Sequence, residues 1–313
     1  MGSTPPQAAV RRRVATVPSR SARWLSAQAV TRLLRGVGAP QKDSASRAAA
    51  DPEVGSTTPT SCSIVLPGGR SAIAVLAPPD VSGEEAVAAL ALPRPRGVIV
   101  LNGGTTEFSA AQSEALRQSL GDGVARVAVE GRFTVVTGGT DAGIFSLFGQ
   151  ELGDTSTAPC IGVVPAARVT WPGRAVPADR TLDVEELAPL EPHHSHFLLV
   201  AGEEWGVETD AMLSLSGALS VDCASVAVLA GGGAGARREI LGHARARRAV
   251  IVLAGTGRFA DELADAVAGG PAADAETAEI ASTDLITVVD SAEPSSTLAE
   301  LVRACLAIRE ETQ

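Results

Sequence analysis

The 313-residue sequence has no tyrosine, three tryptophans, six phenylalanines and a single lysine beside 25 arginines. The arginine excess is typical of a GC-rich genome and indicates no function by itself. No uninterrupted apolar run approaches the roughly 18 residues that a membrane span needs. Since 45% of the residues are hydrophobic, we expect a soluble globular chain with an ample core.

Cysteine is also scarce, and the sequence contains no CxxC pair and no compact disulfide spacing. The four cysteines each lie in or beside an apolar run, which favours buried free thiols and a cytoplasmic location: Cys62, Cys160, Cys223 and Cys305. The chain has no GxSxG elbow, no Walker A loop and no GxGxxG fingerprint. The common signatures of serine hydrolases, P-loop NTPases and classical dinucleotide-binding domains are therefore missing.

Charge is distributed unevenly along the chain. Residues 1–50 carry nine basic side chains and one acidic one, which leaves 17 basic against 35 acidic residues elsewhere. The acidic body argues against non-specific binding of nucleic acid. We expect residues 1–60 to be a disordered basic tail, with a short amphipathic helix at 21–37. This helix suits an acidic partner or a membrane surface, but packing on its own domain or an over-extended start is favoured, and the tail would also suit a transit peptide.

Residues 61–313 have the pattern of one α/β domain. Apolar runs typical of buried strands alternate with amphipathic helical segments, so we predict a Rossmann-like, doubly wound, mainly parallel sheet with helices on both faces. After a hairpin at 63–76 and a helix at 82–92, strands are expected at 97–101, 133–137, 160–164, 197–201, 225–230, 250–254 and 285–289. Helices are expected at 109–120, 144–152, 207–219, 236–247, 260–268 and 296–309. Residues 169–192 should form a long loop, and 269–283 a flexible linker.

Glycine-rich turns follow four of these strands. In a parallel sheet such turns meet at one edge, where glycine lets the backbone approach a ligand and helix N–H groups can bind phosphate. A single turn of this kind is equally compatible with a plain connection. Taken together, they predict phosphate binding by Gly103, Gly104 and Thr105, by Thr137, Gly138, Gly139, Thr140 and Gly143, by Gly232, Gly233 and Gly235, and by Thr256, Gly257 and Arg258.

Two charged residues in these turns have alternative interpretations. Arg258 lies at a helix start, where a cation is disfavoured, so a bound anion or the nearby Asp261 would explain it. Glu239 lies about one turn into the helix that follows Gly231–Gly235. It can accept or act on a ribose hydroxyl, or it can be a surface glutamate paired with an arginine.

Three of the four histidines lie together, at positions 193, 194 and 196. No cysteine is near them, and adjacent residues seldom reach one metal centre. We therefore expect no metal, and histidines that cap the strand or contact a ligand.

In combination these motifs resemble the SLOG superfamily, in the branch (LSDAT) that includes the cytoplasmic N-terminal region of melastatin-type (TRPM) channels and its prokaryotic relatives. The resemblance covers about residues 61–269 and is carried by the blocks at 102–105, 137–143, 192–200, 231–239 and 255–261. It implies a nucleotide-binding domain with ADP-ribose-like compounds as the best-known ligands. It also implies that Arg258 contacts phosphate and that His196 belongs to the site.

The wider superfamily includes cytokinin-activating phosphoribohydrolases, whose PGGxGTxxE motif resembles residues 231–239 and would make Glu239 catalytic. Here Gly231 stands in place of the proline and Ala236 in place of the threonine, and residues 203–230 contain no arginine. We therefore expect a ligand sensor rather than a nucleotide N-glycosidase. An effector would be a separate protein, and a homo-oligomer is compatible with the sequence.

Overall fold

The computed structural model describes residues 58–105, 108–154, 156–174 and 187–307. Its strands are β1 (Thr60–Val65), β2 (Ser71–Ala77), β3 (Val98–Gly103), β4 (Thr134–Thr137), β5 (Cys160–Pro165), β6 (Val169–Thr170), β7 (Ala188–Pro189), β8 (His196–Val200), β9 (Ser225–Ala230), β10 (Ala249–Ala254) and β11 (Ile286–Asp290). Its helices are α1 (Gly83–Leu90), α2 (Ala110–Leu120), α3 (Arg126–Gly131), α4 (Gly143–Leu152), α5 (Thr209–Leu219), α6 (Ala234–Arg245), α7 (Arg258–Val267), α8 (Ala275–Ala281) and α9 (Ser295–Ala307).

Nine strands form one sheet in the order β1-β2-β8-β5-β4-β3-β9-β10-β11, and all neighbours except β1 and β2 run parallel. The chain builds outward from β3 through β4 and β5, then returns to place β9 on the other side of β3. The strand order thus reverses between β3 and β9, and open α/β sheets bind ligands at such a reversal.

The central strands are apolar on both sides because helices cover both faces of the sheet. In β3, Val98 and Val100 belong to one core, with residues of α5, α6 and α7, whereas Ile99 and Leu101 belong to the other, with residues of α2, α4 and α9. All four are fully buried. Continuous apolar strands of this kind are typical of covered parallel sheets, and the predicted Rossmann-like fold is confirmed.

Local signals also placed several helix starts correctly. At α1, Ser82 Oγ accepts a hydrogen bond from the Glu85 N–H (3.2 Å), and the Glu85 carboxylate accepts one from the Ser82 N–H (3.1 Å). Ser109 and Gln112 make the same reciprocal pair at α2. Each pair satisfies two N–H groups that a helix start otherwise leaves unpaired.

The structure departs from the sequence prediction in three segments. A π-helical turn (Gly121–Ala125) and α3 continue α2, where no helix was expected. The expected linker at 269–283 contains α8, because the Asp274 carboxylate caps the Thr277 N–H (2.8 Å) and Ile280 is fully buried. The expected loop at 169–192 carries β6 and β7, which pair in a small parallel sheet. The predicted tail helix lies outside the described residues.

No helix among the described residues has the length and apolar character to cross a membrane.

Candidate functional site

The glycine-rich turns after β3, β4, β9 and β10 meet along the carboxyl edge of the sheet, as the parallel arrangement predicted. A Cβ on Gly143 would overlap the Gly104 carbonyl, and a Cβ on Gly103 would overlap the carbonyl of Ala230. Gly231 links the turn after β9 to the turn after β10, because its N–H donates a hydrogen bond to Thr256 Oγ1 (2.8 Å). The four turns therefore form one continuous surface, although they differ in how many N–H groups remain available.

The turn after β4 is closed by internal hydrogen bonds. The hydroxyl of Thr137 is fully buried and accepts a hydrogen bond from the Gly139 N–H (2.9 Å). At the start of α4, the N–H of Ile144 donates to the Gly104 carbonyl (3.2 Å). Thr140 is also buried, and its Oγ1 has no hydrogen-bond partner within the described ranges. The structure thus places Thr137 and Thr140 in the interior, away from the surface expected to contact phosphate.

A buried carboxylate, that of Glu191, is linked to the Thr137 turn through hydrogen bonds. Glu191 lies 2.6 Å from His194 Nδ1 and 2.6 Å from His193 Nδ1, and it also accepts the His193 N–H (2.8 Å). His194 Nε2 in turn lies 2.6 Å from Thr137 Oγ1. Because a carboxylate only accepts hydrogen bonds, both Nδ1 atoms carry their proton. This cluster (Thr137, Glu191, His193 and His194) fixes the turn.

The charge of Glu191 is maintained although its side chain is fully buried. Burial raises the pKa of Glu191, but the hydrogen bonds from His194 and His193 outweigh burial and hold this pKa below its usual range. None of the sequence motifs predicted a role for Glu191. Glu191 precedes His193 by two residues and His194 by three, and this spacing was the sequence signal that could have identified it.

The turn after β10 is closed as well. The Asp261 carboxylate accepts the N–H groups of Gly255 (2.7 Å) and Gly257 (3.0 Å). Thr256 is buried, and its hydroxyl donates to the Leu253 carbonyl (2.6 Å) while accepting from Gly231. Asp261 therefore caps this turn, and the backbone N–H groups of Gly255 and Gly257 are already occupied.

The first N–H groups of α7 are likewise occupied. Phe259 donates to the Gly232 carbonyl (3.3 Å), and Ala260 donates to the Gly231 carbonyl (3.0 Å). Gly231 and Gly232 have φ angles of 60° and 94°, which residues other than glycine rarely adopt. This backbone conformation lets their carbonyls accept hydrogen bonds from α7. The start of α7 is thus joined to the turn after β9 rather than open to a ligand.

The start of α6 remains open. Its N-cap residue is Gly233, and no side chain caps it. The N–H groups of Ala234, Gly235 and Ala236 in the first turn have no intrahelical acceptor. No hydrogen bond from these groups is found within the part of the chain that the structure describes. A Cβ on Gly235 would meet nothing within 4 Å, so this turn faces open space.

Two arginines flank this open turn in a cleft of about 230 Å³, which is lined by Gly232, Gly233, Ala234, Arg237, Arg258, Phe259 and Glu262. Arg258 Nη2 lies 3.3 Å from the position that a Cβ on Gly233 would take. Arg237 pairs with Glu262 (2.8 Å) and Asp274, and its guanidinium lies 5.1 Å from the Phe259 ring centroid. Arg258 therefore lies across the helix start, while Arg237 is held at its side.

Glu239 lies at the other side of the open turn, against the end of β3. The Nδ2 of Asn102 donates to Glu239 Oε2 (2.8 Å), and the fully buried Asn102 leaves its Oδ1 with no partner in the described structure. Burial raises the pKa of Glu239 to about 7, the nearby Glu208 carboxylate adds to the shift, and Asn102 and Arg238 oppose it. The structure thus contradicts the interpretation of Glu239 as an arginine-paired surface residue.

Of the predicted site residues, His196 is the one that the structure separates from the others. It begins β8 and pairs in register with Ile161 near the start of β5, so it lies at the amino edge of the sheet. At about 3.3 Å per residue, a five-residue strand separates it from the carboxyl edge by more than 10 Å. Its Nδ1 lies 2.8 Å from Ser195 Oγ, which also binds the backbone of Cys160. His196 thus helps to join two strand starts.

Of the remaining predicted residues, Gly138 lies beside Phe145, and Thr105 is exposed next to the undescribed positions 106–107. Within the described ranges, no group of three or more His, Cys, Asp or Glu side chains is arranged so that it could hold a metal ion.

Comparison with known proteins supports the fold and the motifs. A search of curated proteins found no match. The sequence matches the family described as SLOG in TRPM, prokaryote (LSDAT_prok), over residues 96–299. The matched region is more than half of the chain. It begins at the approach to β3 and includes the open turn, Glu239 and Arg258. The chain therefore belongs to the prokaryotic SLOG-in-TRPM family, a membership that suggests a nucleotide-related domain.

Proposed function

We propose that this chain binds a nucleotide or nucleotide derivative of the ADP-ribose type, with a phosphate group at the start of α6. The observation that carries the proposal is the open first turn of α6 at the point where the strand order reverses. The neighbouring turns use their N–H groups internally, at Gly139, Ile144, Gly255 and Gly257.

An anion fits this position for electrostatic reasons. A helix start presents unpaired N–H groups and a partial positive charge, which together favour phosphate. Arg258 lies over Gly233 and can add a charge-assisted hydrogen bond to the same group. In a protein with a net charge of −10, attraction of an anion depends on such a local arrangement.

Asn102 and Glu239 can hold the sugar of the same ligand. Glu239 lies four positions after Gly235, which corresponds to about 6 Å along the helix, a distance that a ribose phosphate can bridge. The buried Oδ1 of Asn102 lacks a donor, and a ribose hydroxyl would supply one. Leaving such an atom unpaired costs about 1–3 kcal/mol, so a ligand donor at this position would contribute to affinity.

Isothermal titration calorimetry with ADP-ribose, NAD, ATP and cyclic nucleotides tests the proposal. We expect at least one of these compounds to bind and to compete with the others for the same site. The absence of any heat of binding at millimolar ligand would overturn it.

We predict that Arg258→Ala weakens binding by about 1.5–3 kcal/mol, because it removes a charge-assisted hydrogen bond to phosphate. The matched control is Arg245→Ala at the far end of α6, where the arginine pairs with Glu279 (2.8 Å). Calorimetry of both variants should show a loss of affinity for Arg258→Ala alone. Equal affinities would show that Arg258 does not contact the ligand.

The pKa of Glu239 favours a second candidate function, hydrolysis of a nucleoside monophosphate at its N-glycosidic bond. A carboxylate with a pKa of about 7 can accept a proton from water at neutral pH. The water oxygen would then bond to the anomeric carbon while the bond to the base breaks, and the proton accepted by Glu239 would pass to the leaving base through solvent. Activity of this kind should rise with pH up to about 7 and then level off.

Incubation with AMP, followed by chromatography for free base and ribose phosphate, tests this second function. We expect Glu239→Gln to abolish product formation, because an amide cannot accept the proton. Activity that survives this substitution would exclude the proposed role, and the absence of products with the wild-type protein would leave binding as the function.

A further inference from the structure

An exposed tryptophan lies on a fixed turn between β8 and α5. Trp205 is 50% exposed, although a large aromatic side chain usually lies at least partly in a core. The turn itself is held in place, because the Gly206 N–H donates to the Glu208 carboxylate (2.7 Å) and the Thr209 N–H donates to the Gly206 carbonyl (3.3 Å). The ring is thus presented from an ordered backbone.

This turn adjoins the side of the candidate site that contains Glu239. Arg238 Nη1 lies 3.3 Å from the position that a Cβ on Gly206 would take, and α5 packs against α6. The charges of Glu208 and Arg238 both act on the Glu239 carboxylate. The turn that carries Trp205, Gly206 and Glu208 therefore lies beside Glu239.

The order of groups along this surface matches the order of groups in a nucleotide. The phosphate site at the start of α6 is followed by Asn102 and Glu239, one helical turn away, and then by the turn that carries Trp205 and contacts Arg238. A planar base beyond the sugar would reach an aromatic ring of the size and rigidity that stacking requires. The neighbouring guanidinium of Arg238 can add a cation–π contact.

We propose that Trp205 is the stacking platform for the base of the bound nucleotide, so that this subsite selects ligands with a planar aromatic base. The inference rests on the proposed function, because it assigns the base end of a ligand whose phosphate lies at α6. It makes Trp205 a specificity-determining residue rather than a structural one.

Calorimetry with two probes tests the assignment. ADP-ribose carries a base, whereas ribose 5-phosphate lacks one. We expect Trp205→Ala to weaken ADP-ribose binding about tenfold to a hundredfold and to leave ribose 5-phosphate binding unchanged. Trp205→Phe should retain most of the affinity for ADP-ribose, since phenylalanine keeps an aromatic face. Urea denaturation should show equal stability for all three proteins, because the ring is half exposed.

Fluorescence provides a second readout. Stacking on the base should quench the emission of the wild-type protein and of Trp171→Phe, but not that of Trp205→Phe. Trp171 is a suitable control because Arg174 covers its ring at 4.6 Å from the centroid.

The possible outcomes distinguish a failure of the stacking role from a failure of the proposed nucleotide binding. Binding of ADP-ribose that is unaffected by Trp205→Ala, or without quenching, would overturn the stacking role and leave the nucleotide site intact. If Trp205→Ala lost binding of both ADP-ribose and ribose 5-phosphate, the stacking role would also be overturned, since stacking affects only the base. Failure of ADP-ribose to bind the wild-type protein would overturn both.

Discussion

We expect Glu191→Ala to lower the free energy of unfolding by about 3–5 kcal/mol, the range for removing one partner of a buried charged cluster. The reason is the number of donors that depend on this carboxylate. His194 Nδ1, His193 Nδ1 and the His193 N–H would all lose their acceptor. The His194 side chain is fully buried, so no water can replace the carboxylate there, whereas the His193 side chain is 19% exposed. Urea denaturation followed by circular dichroism measures the loss.

Asp154→Asn is the matched control for this prediction. Asp154 lies 3.7 Å from the Nε2 of the same His193, but its side chain is 74% exposed. Exposed ion pairs contribute about 0–1 kcal/mol, so this variant should be nearly as stable as the wild type. Similar losses in the two variants would contradict the special role of the buried cluster.

The loss caused by Glu191→Ala should depend on pH. The hydrogen bonds from His194 and His193 lower the pKa of Glu191 in the folded state despite burial. An acid with a lowered folded-state pKa contributes stability above its unfolded pKa, near 4.3, and that contribution is lost as pH falls through the folded value. The stabilities of the wild type and the variant should therefore converge only in acid, below about pH 4.

The second large effect is expected for Glu239→Gln, which should stabilise the protein at alkaline pH. Burial raises the pKa of Glu239 to about 7. Such a group destabilises the fold progressively as pH rises from the unfolded pKa to the folded one, and the cost stays constant above. At about 1.4 kcal/mol per pH unit, the full cost is about 3 kcal/mol. Glutamine keeps the size of the side chain and can still accept from Asn102, but it has no charge to bury.

Denaturation at pH 5 and pH 8.5 measures this effect. The gain in stability from Glu239→Gln should be below about 1 kcal/mol at pH 5 and about 3 kcal/mol at pH 8.5. Glu84→Gln, on the exposed surface of α1, controls for the change in net charge. A stability difference that does not change with pH would contradict a raised pKa.

Much of the fold could be predicted because its signals are local. The run Val98–Leu101 is too short and too apolar for a surface helix, and the turn residues around it limit its length. The capping pair of Ser82 and Glu85 placed α1 within a few residues of its observed bounds. The clustering of the glycine-rich turns also followed directly, since parallel strands end at a common edge.

The distinction between open and closed turns could not be predicted, because it depends on partners distant in the chain. Glu191 acts on Thr137 through His194, which lies 57 residues after that threonine. Thr256 accepts a hydrogen bond from Gly231 across 25 residues. The turns after β4, β9 and β10 are all rich in glycine in the sequence. Only the tertiary hydrogen bonds reveal that the first N–H groups of α6 have no acceptor among the described residues.

The assignment of His196 to the site failed for a different reason. The histidine group was treated as one feature, but its members belong to a loop and to the first residue of a strand. In a parallel sheet, the two ends of a strand lie at opposite edges, so a residue that begins β8 lies far from the turns that follow the strands. Asn102 shows the converse, because its position at the end of β3 makes its contact with Glu239 possible.

Amide chemical shifts on titration with ADP-ribose test the central claim most directly, namely that the start of α6 is the phosphate site. We predict large shifts for the N–H groups of Ala234, Gly235 and Ala236, and small shifts for Gly139 and Gly257, whose N–H groups are occupied. The same pattern should weaken in Arg258→Ala. Shifts centred on Gly139 or Gly257, with those of Ala234, Gly235 and Ala236 unchanged, would contradict a phosphate site at the start of α6.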